Sequence, residues 1–120
     1  LAAVRAMSWA EFSRALEAAY RRDGYDVTAM NAAAADFRIR KEWRIALVSC
    51  KRWKAARAGV EPLQELHAAM EAHDAQECVY VTTGELTDNA RAFAGKHAIR
   101  LVGGSELARL LPDAGRGRKI

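Results

Sequence analysis

Two neighbouring stretches of alternating apolar and polar residues, 36–40 and 43–51, limit most strongly what this chain can fold into. The first reads Asp-Phe-Arg-Ile-Arg and the second Trp-Arg-Ile-Ala-Leu-Val-Ser-Cys-Lys, with a short charged break between them. Alternation with a period of two predicts β-strands, and two such strands across a short break predict a β-hairpin. The second stretch is apolar at both parities, which predicts a strand in the interior of a sheet.

Helix and strand patterns surround this hairpin. Four helices are predicted, each from a residue that favours a first turn: Ser8, Pro62, Thr87 and Ser105. Three further short strands are predicted at residues 25–28, 79–82 and 99–102. The predicted order is therefore αβββαβαβα. A hairpin followed by alternating strands and helices predicts an α/β fold with a mixed sheet between helical layers, an α/β/α sandwich.

Length sets the domain organisation, because 120 residues build one core and leave no room for a second. We expect one domain over residues 1–111 and a basic, flexible tail over residues 112–120. The chain begins with Leu1 and carries no signal segment, so we expect it to be a piece of a longer protein.

The two cysteines and the apolar runs restrict the surroundings of the chain. Cys50 and Cys78 have no metal-ligand spacing, which disfavours a disulfide scaffold or a zinc module and favours a reducing cytoplasm. No apolar run reaches the ~20 residues that a bilayer span needs, so we expect no membrane contact by this segment.

Charge is unevenly distributed along the chain. Residues 38–60 carry eight basic side chains against Glu42 alone, and residues 61–90 carry seven acidic side chains and no Lys or Arg. Trp43 and Trp53 lie within the basic block. A cationic block with interleaved aromatic side chains is typical of a surface that binds nucleic acid, since each neutralised phosphate releases counterions. A solvated face that keeps the protein soluble is the alternative.

The register of the predicted hairpin decides where its polar residues lie. An odd register sum places Asp36 on the same face as Ser49 and Lys51, together with Leu47. An even sum would bury the Asp36 carboxylate without a partner, so we expect the odd register. The opposite face is then apolar core and carries Phe37, Ile39, Ala46, Val48 and Cys50.

A carboxylate beside a lysine is the pair that metal-assisted phosphodiester hydrolysis uses. Asp36 would bind Mg²⁺, which polarises the phosphate and lowers the pKa of its bound water, while Lys51 positions that water or balances the charge on phosphorus. The carboxylate, the Cys50 carbonyl and a substrate phosphate would hold Mg²⁺ or Mn²⁺ weakly, whereas the neutral Ser49 hydroxyl is a poor ligand. An ordinary cross-strand ion pair worth well under ~1 kcal/mol is the alternative.

The order of motifs along residues 8–111 resembles a known family. The motifs are Ser8-Trp9-x-x-Phe12, Gly24-Tyr25-x-Val27, Asp36, Val48-x-Cys50-Lys51-x-Trp53, Leu63-Gln64-Glu65-Leu66, Val81-Thr82-Thr83-Gly84 and Ile99-x-Leu101-Val102. Together they resemble the Mrr-type restriction endonuclease domain. The resemblance implies a PD-(D/E)xK nuclease fold, that is, a restriction-endonuclease-like three-layer α/β/α sandwich.

The resemblance also implies a function and its residues. It implies a Mg²⁺-dependent deoxyribonuclease of the type IV restriction kind that acts on DNA in a bacterial cytoplasm and needs no small-molecule cofactor. Asp36 and Lys51 match the family's second Asp and its Lys, and Gln64 matches a polar position near the active site. Members of this kind often carry membrane helices ahead of the nuclease domain, which implies a tether outside this chain.

The chain departs from the family pattern at several polar positions. Residues 32–34 are alanines where the family has Asp-Gly-Gly, Ser49 replaces a Gln or Glu, and Ser13 replaces a Glu on the first helix. Glu17 lies one helical turn beyond Ser13 and is a candidate to restore a carboxylate, although pairing with Arg14 or Arg21 is the alternative. We therefore expect an eroded site with weakened or absent catalysis.

Three functions remain open at this point. The first is DNA cleavage, with contacts to the DNA backbone from Arg38, Arg52, Lys54 and Arg57. The second is a non-catalytic nucleic-acid-binding or regulatory module on the same fold. The third is an interaction domain in which the basic and acidic blocks pair between the protomers of a homodimer.

Overall fold

The computed structural model describes residues 2–111, in which a mixed sheet lies between two layers of helices. The helices are α1 (Ala2–Arg5), α2 (Trp9–Arg22), α3 (Glu61–Ala69), α4 (Asp88–Lys96) and α5 (Gly104–Leu110), with a 3₁₀ turn at Glu71–His73. The strands are β1 (Asp26–Ala29), β2 (Phe37–Lys41), β3 (Arg44–Ser49), β4 (Arg57–Ala58), β5 (Glu77–Val81), β6 (Glu85–Leu86) and β7 (Arg100–Val102). The predicted α/β sandwich is confirmed, while the predicted tail at 112–120 lies outside the described residues.

Five strands form the main sheet in the order β1-β2-β3-β5-β7. The first three are antiparallel, and β3, β5 and β7 run parallel to one another. Phe37 pairs with Val48 across the hairpin, so the register sum is odd, as predicted. Glu42 closes the tight turn in the left-handed region, at φ 58°. β3 lies in the centre of the sheet, which confirms the interior strand.

One face of the sheet packs against α2 and α5. Phe12 and Leu16, one turn apart on α2, are fully buried against Val48. Val48 lies on the face of β3 that the hairpin parity predicted to be apolar core. The ring of Trp53 stacks on the ring of Phe12 at 4.3 Å between centroids, and its Nε1 donates to the Val4 carbonyl. The segment after β3 is therefore held against the amino-terminal turns of α2.

The opposite face packs against α3 and α4. Leu47, which was expected to share a face with Asp36, Ser49 and Lys51, is fully buried there with Leu63 and Leu66 of α3. A central strand of a three-layer fold is covered on both faces, so only the ends of this face stay open to polar chemistry. The open part lies beyond Leu47, at the carboxyl end of β3.

Element boundaries differ from the predictions at a few places. α5 begins at Gly104, and Glu106 Oε1 accepts from the Gly103 amide at 3.1 Å, so Ser105 lies inside the first turn and does not cap it. The two-residue strands β4 and β6 form a small parallel sheet that was not predicted, because two residues carry no periodicity. Every helix within residues 2–111 falls short of the length and apolarity that crossing a bilayer requires.

Candidate active site

The carboxylate of Asp36 closes the chain turn that follows β3. Asp36 Oδ2 accepts hydrogen bonds from the backbone amides of Cys50 at 2.7 Å and Lys51 at 2.9 Å. Asp36 itself is buried, with its amide donating to the Val48 carbonyl. These bonds take the two amide donors that would otherwise continue the ladder, so β3 ends at Ser49 and not at Lys51 as predicted.

The ammonium of Lys51 lies beside the same carboxylate. Lys51 Nζ is 3.6 Å from Asp36 Oδ1, and the two side chains differ sharply in exposure, at 66% for Lys51 and 7% for Asp36. The pair therefore has a buried acid at its base and a solvent-facing cation at its mouth. The structure brings together the two residues that the hairpin parity singled out.

Trp9 stands next to this pair and was missed as a site residue. Its ring centroid is 5.9 Å from Lys51 Nζ and 5.7 Å from the centroid of Trp53. Trp9 is 36% exposed at the start of α2. In the sequence only the motif that begins at Ser8 marks this residue, because a local pattern does not show that the first turn of α2 lies beside Lys51.

Two side chains on neighbouring strands lie side by side at the carboxyl end of β3. Ser49 pairs in parallel with Tyr80 of β5, and Asp36 directly precedes β2 on the other side of β3. Residues directly opposite one another in a sheet point to the same side, so Ser49 and Tyr80 share one face. Tyr80 was not predicted as a site residue, because nothing in its short buried strand marks it.

Cys50 has two groups near the site, its backbone carbonyl and its thiol, and they differ in what they can bind. Its carbonyl accepts the Trp53 amide at 3.2 Å within the turn, which leaves one lone pair for another partner. Its thiol is buried, and burial first, then the neighbouring Asp36 carboxylate, raise its pKa far above the usual range. The thiol is therefore a neutral core group.

Among the described residues, three other predicted site residues have no hydrogen bond or ion pair with Asp36 or Lys51. Glu17 pairs with Arg21 at 2.8 Å on α2, the alternative that the helix spacing allowed. Gln64 is exposed on α3, and no contact of the described residues joins it to the pair. Arg38 Nε donates to the His73 carbonyl at 3.2 Å, which ties it to the 3₁₀ turn that follows α3.

The other predicted DNA contacts lie together in the turn after β3. Arg52, Lys54 and Arg57 are all exposed in the segment that follows Lys51. Lys54 Nζ lies 5.1 Å from the ring centroid of Trp53, and the Lys54 carbonyl accepts from Arg5. Three exposed cationic side chains therefore follow Lys51 in the same turn and the short strand β4.

The donor set suits a cation that is shared with a substrate and does not suit a resident metal. Within residues 2–111 no three His, Cys, Asp or Glu side chains are arranged to hold a metal ion. Asp36 Oδ2 is occupied by two amides, so Oδ1 is the carboxylate oxygen that remains. Mg²⁺ keeps several waters and binds through one or two carboxylates together with substrate phosphate, which this set can satisfy.

Comparisons with known proteins identify the family and the fold. The family model Mrr_cat, described as restriction endonuclease, matches residues 4–111. One solved structure, "Crystal Structure of Protein of Unknown Function AF1548", superposes with a TM-score of 0.70 over 88% of this chain and 67% of that chain, at 15% sequence identity. That likeness concerns the fold alone. No curated protein gave a significant match.

Proposed function

The chain belongs to the Mrr_cat restriction endonuclease family, and from this premise we propose that it hydrolyses phosphodiester bonds of DNA with Asp36 and Lys51 as its catalytic residues. One observation carries the proposal: the exposed Lys51 ammonium stands 3.6 Å from Oδ1 of the buried Asp36 carboxylate, whose other oxygen accepts two backbone amides. An acid and an amine in this arrangement can bind one phosphate from two sides.

Each residue has a defined task in this proposal. Asp36 Oδ1 would hold a Mg²⁺ or Mn²⁺ together with the Cys50 carbonyl, the Ser49 hydroxyl and phosphate oxygens of the DNA. The cation supplies Lewis-acid polarisation of the phosphate and a more acidic water. Lys51 orients the attacking water or balances the negative charge that develops on the phosphoryl oxygens, and its long, exposed side chain can follow the phosphate.

The basic turn after β3 would hold the DNA backbone. Arg52, Lys54 and Arg57 follow Lys51 directly, and each neutralised phosphate releases counterions, so affinity should fall as salt rises. Lys96 at the carboxyl end of α4 is a matched control, because it is an exposed cation at the opposite end of the sheet. Lys54→Glu should weaken DNA binding and flatten its salt dependence, whereas Lys96→Glu should change both far less.

A plasmid assay tests catalysis directly. Supercoiled DNA is incubated with the protein and Mg²⁺ or Mn²⁺, and nicking is compared among wild type, Lys51→Ala, Asp36→Asn and the control Lys96→Ala. We expect a loss of roughly 100-fold or more for the two site variants, the scale on which removal of one charge-stabilising group acts. Nicking by Lys51→Ala at the wild-type rate would exclude the catalytic role.

A second function is favoured by one specific observation. Asp36 Oδ2 is fully used in closing the turn, and Ser49 supplies a neutral hydroxyl where a charged ligand would bind a cation more tightly. Both features suit a DNA-binding or regulatory module that retains the nuclease fold without cutting. Salt-dependent DNA binding together with no metal-dependent nicking would identify this second function.

A further inference from the structure

A cleft of about 340 Å³ lies beside the proposed site, between the turn after β3 and the start of α3. Its charged lining comes from two elements: Arg52 and Arg57 belong to the segment after β3, and Glu61 and Glu65 belong to α3. Tyr80 of β5 contributes to the inner lining. The proposed function uses Arg52 and Arg57 for the DNA backbone and gives Glu61, Glu65 and Tyr80 no role.

The hydroxyl of Tyr80 is unusual among the polar groups of the core. Tyr80 is 1% exposed, and its hydroxyl oxygen has no hydrogen-bond partner among the described residues. Buried polar groups are nearly always hydrogen-bonded, since an unpaired one loses its hydration without replacement. Burial also raises the pKa of Tyr80, so the hydroxyl remains a donor at neutral pH. A group that has no partner within the fold is suited to a partner from outside it.

The four charged side chains that line the cleft also lack polar partners among the described residues. In the described part of the chain, neither arginine and neither glutamate makes an ion pair or a side-chain hydrogen bond. The cleft therefore offers cationic donors from one element, anionic acceptors from the other and a neutral hydroxyl inside. A bare phosphate would meet repulsion from Glu61 and Glu65, so the matching ligand is anionic at one end and carries neutral donors and acceptors at the other.

A nucleotide has this distribution of charge and polarity. We propose that the cleft binds one unpaired nucleotide of the DNA substrate, with its phosphate on Arg52 and Arg57 and the polar edge of its base against Glu65 and the Tyr80 hydroxyl. The inference rests on the proposed function. Tyr80 lies two strands from Asp36, about 10 Å at 4.7–4.9 Å per strand, so the bound nucleotide is close in sequence to the phosphate at the catalytic pair.

The cleft selects an unpaired nucleotide because a paired base has its polar edge engaged and its faces stacked. Enzymes that bind a base in a pocket take it out of the duplex or use a base that is already unpaired, and the cost is least for the latter. A duplex with one unpaired nucleotide should therefore bind more tightly than the fully paired duplex. Glu65 accepts hydrogen bonds only, which favours bases that present N–H groups.

Binding without catalysis provides the test. Fluorescence anisotropy in EDTA compares a paired duplex with the same duplex carrying a single unpaired nucleotide, for wild type, Tyr80→Phe, Glu65→Gln and the control Tyr25→Phe. We expect wild type to bind the duplex with the unpaired nucleotide about tenfold more tightly than the paired duplex. Tyr80→Phe should reduce this preference about fivefold, to about twofold, which is the change expected for the loss of one hydrogen bond. Affinity for the paired duplex should change less than about twofold, and Tyr25→Phe should behave as wild type.

Thermal unfolding of the same variants supplies an independent readout. Because Tyr80→Phe removes a polar group that has no partner, its melting temperature should equal or exceed that of wild type. A lower melting temperature with unchanged DNA preference would mean that the hydroxyl is structural and would overturn the inference.

The outcomes separate the inference from the proposed function. Equal affinity of wild type for the two duplexes, with plasmid nicking intact, would overturn the nucleotide cleft and leave DNA cleavage standing. A preference that survives in both Tyr80→Phe and Glu65→Gln would also overturn the cleft. Absence of DNA binding at low salt would overturn the proposed function, and the inference with it.

Discussion

Asp36 and Lys51 are joined twice, once through the backbone and once through the side chains. The Lys51 amide donates to Asp36 Oδ2 at 2.9 Å, and the Lys51 ammonium lies 3.6 Å from Asp36 Oδ1. The first contact survives any side-chain change at position 51, whereas the second does not. Substitution of Lys51 therefore changes the chemistry of the site while leaving its backbone in place, and substitution of Asp36 changes both.

Asp36→Ala should destabilise the fold. The change leaves the amides of Cys50 and Lys51 without their acceptor, and the Cys50 amide is buried. A buried donor left unpaired costs about 1–3 kcal/mol, so the free energy of unfolding should fall by that amount in urea titrations. Asp36→Asn keeps an acceptor oxygen in place and should lose less.

Lys51→Ala is the matched control for that measurement. Its side chain is 66% exposed, and exposed ion pairs contribute between about 0 and 1 kcal/mol. Equal destabilisation by Asp36→Ala and Lys51→Ala would contradict the structural role given to the carboxylate.

Truncation of the two tryptophans in the basic block should change the free energy of unfolding by very different amounts. Trp53 is buried, stacks on Phe12 at 4.3 Å and donates to the Val4 carbonyl, so Trp53→Ala should cost about 3–5 kcal/mol of unfolding free energy. Trp43 is 73% exposed at the hairpin tip, so Trp43→Ala should change stability by less than about 0.5 kcal/mol. Chemical denaturation of both variants checks this, and a large loss from Trp43→Ala would contradict the register of the turn.

The sequence predicted the hairpin, the central strand and the Asp36–Lys51 pair because each follows from local alternation and from the cost of burying an unpaired carboxylate. Parity decides the face of a strand residue, and the structure agrees with the odd register. The order of helices and strands followed in the same way from residues that start helices and from the spacing of apolar residues. These features depend on interactions between residues close together in the sequence.

The remainder depended on contacts between distant segments. No pattern within the sequence indicates that Trp9 stands beside Lys51, that Leu47 is covered by α3, or that Tyr80 lacks a partner, since each results from helices packing on the sheet. Arg38 lies in the basic block by sequence, yet its side chain donates to the His73 carbonyl, a contact that the charge pattern did not predict. Charge along the chain predicted a basic surface without resolving which members share it.

Gly84 and Gly95 should respond with opposite signs to alanine. A Cβ at Gly84 would stand 1.9 Å from the Ala55 carbonyl oxygen, where backbone would have to move, so Gly84→Ala should destabilise the protein and disturb the cleft. Gly95 lies within α4 with no atom in reach of a new Cβ, so Gly95→Ala should raise the free energy of unfolding by about 0.5–1 kcal/mol. Melting temperatures of the two variants check the signs, and a stable Gly84→Ala would contradict the close approach of the two loops.

Stability should decline in alkaline solution because buried acids of the core resist ionisation. Burial raises the pKa of the Cys78 thiol to about 11 from 9.0 and that of Tyr20 to about 12 from 10.0. Above pH 9 the unfolded chain releases protons that the folded chain keeps, so the stabilisation is complete below pH 9 and is lost as pH rises toward 12.

Cys78 provides the variant that checks this decline. Its thiol is buried and lies 3.6 Å from the Leu66 carbonyl, so it favours the protonated form. At about 1.36 kcal/mol per unit of pKa, its share of the loss between pH 9 and 11 is about 1–3 kcal/mol. Cys78→Ala should start less stable because of the cavity it leaves, yet its urea midpoint should fall less steeply with pH than that of wild type. An identical slope in the two proteins would mean that the Cys78 thiol ionises as readily in the fold as in the unfolded chain.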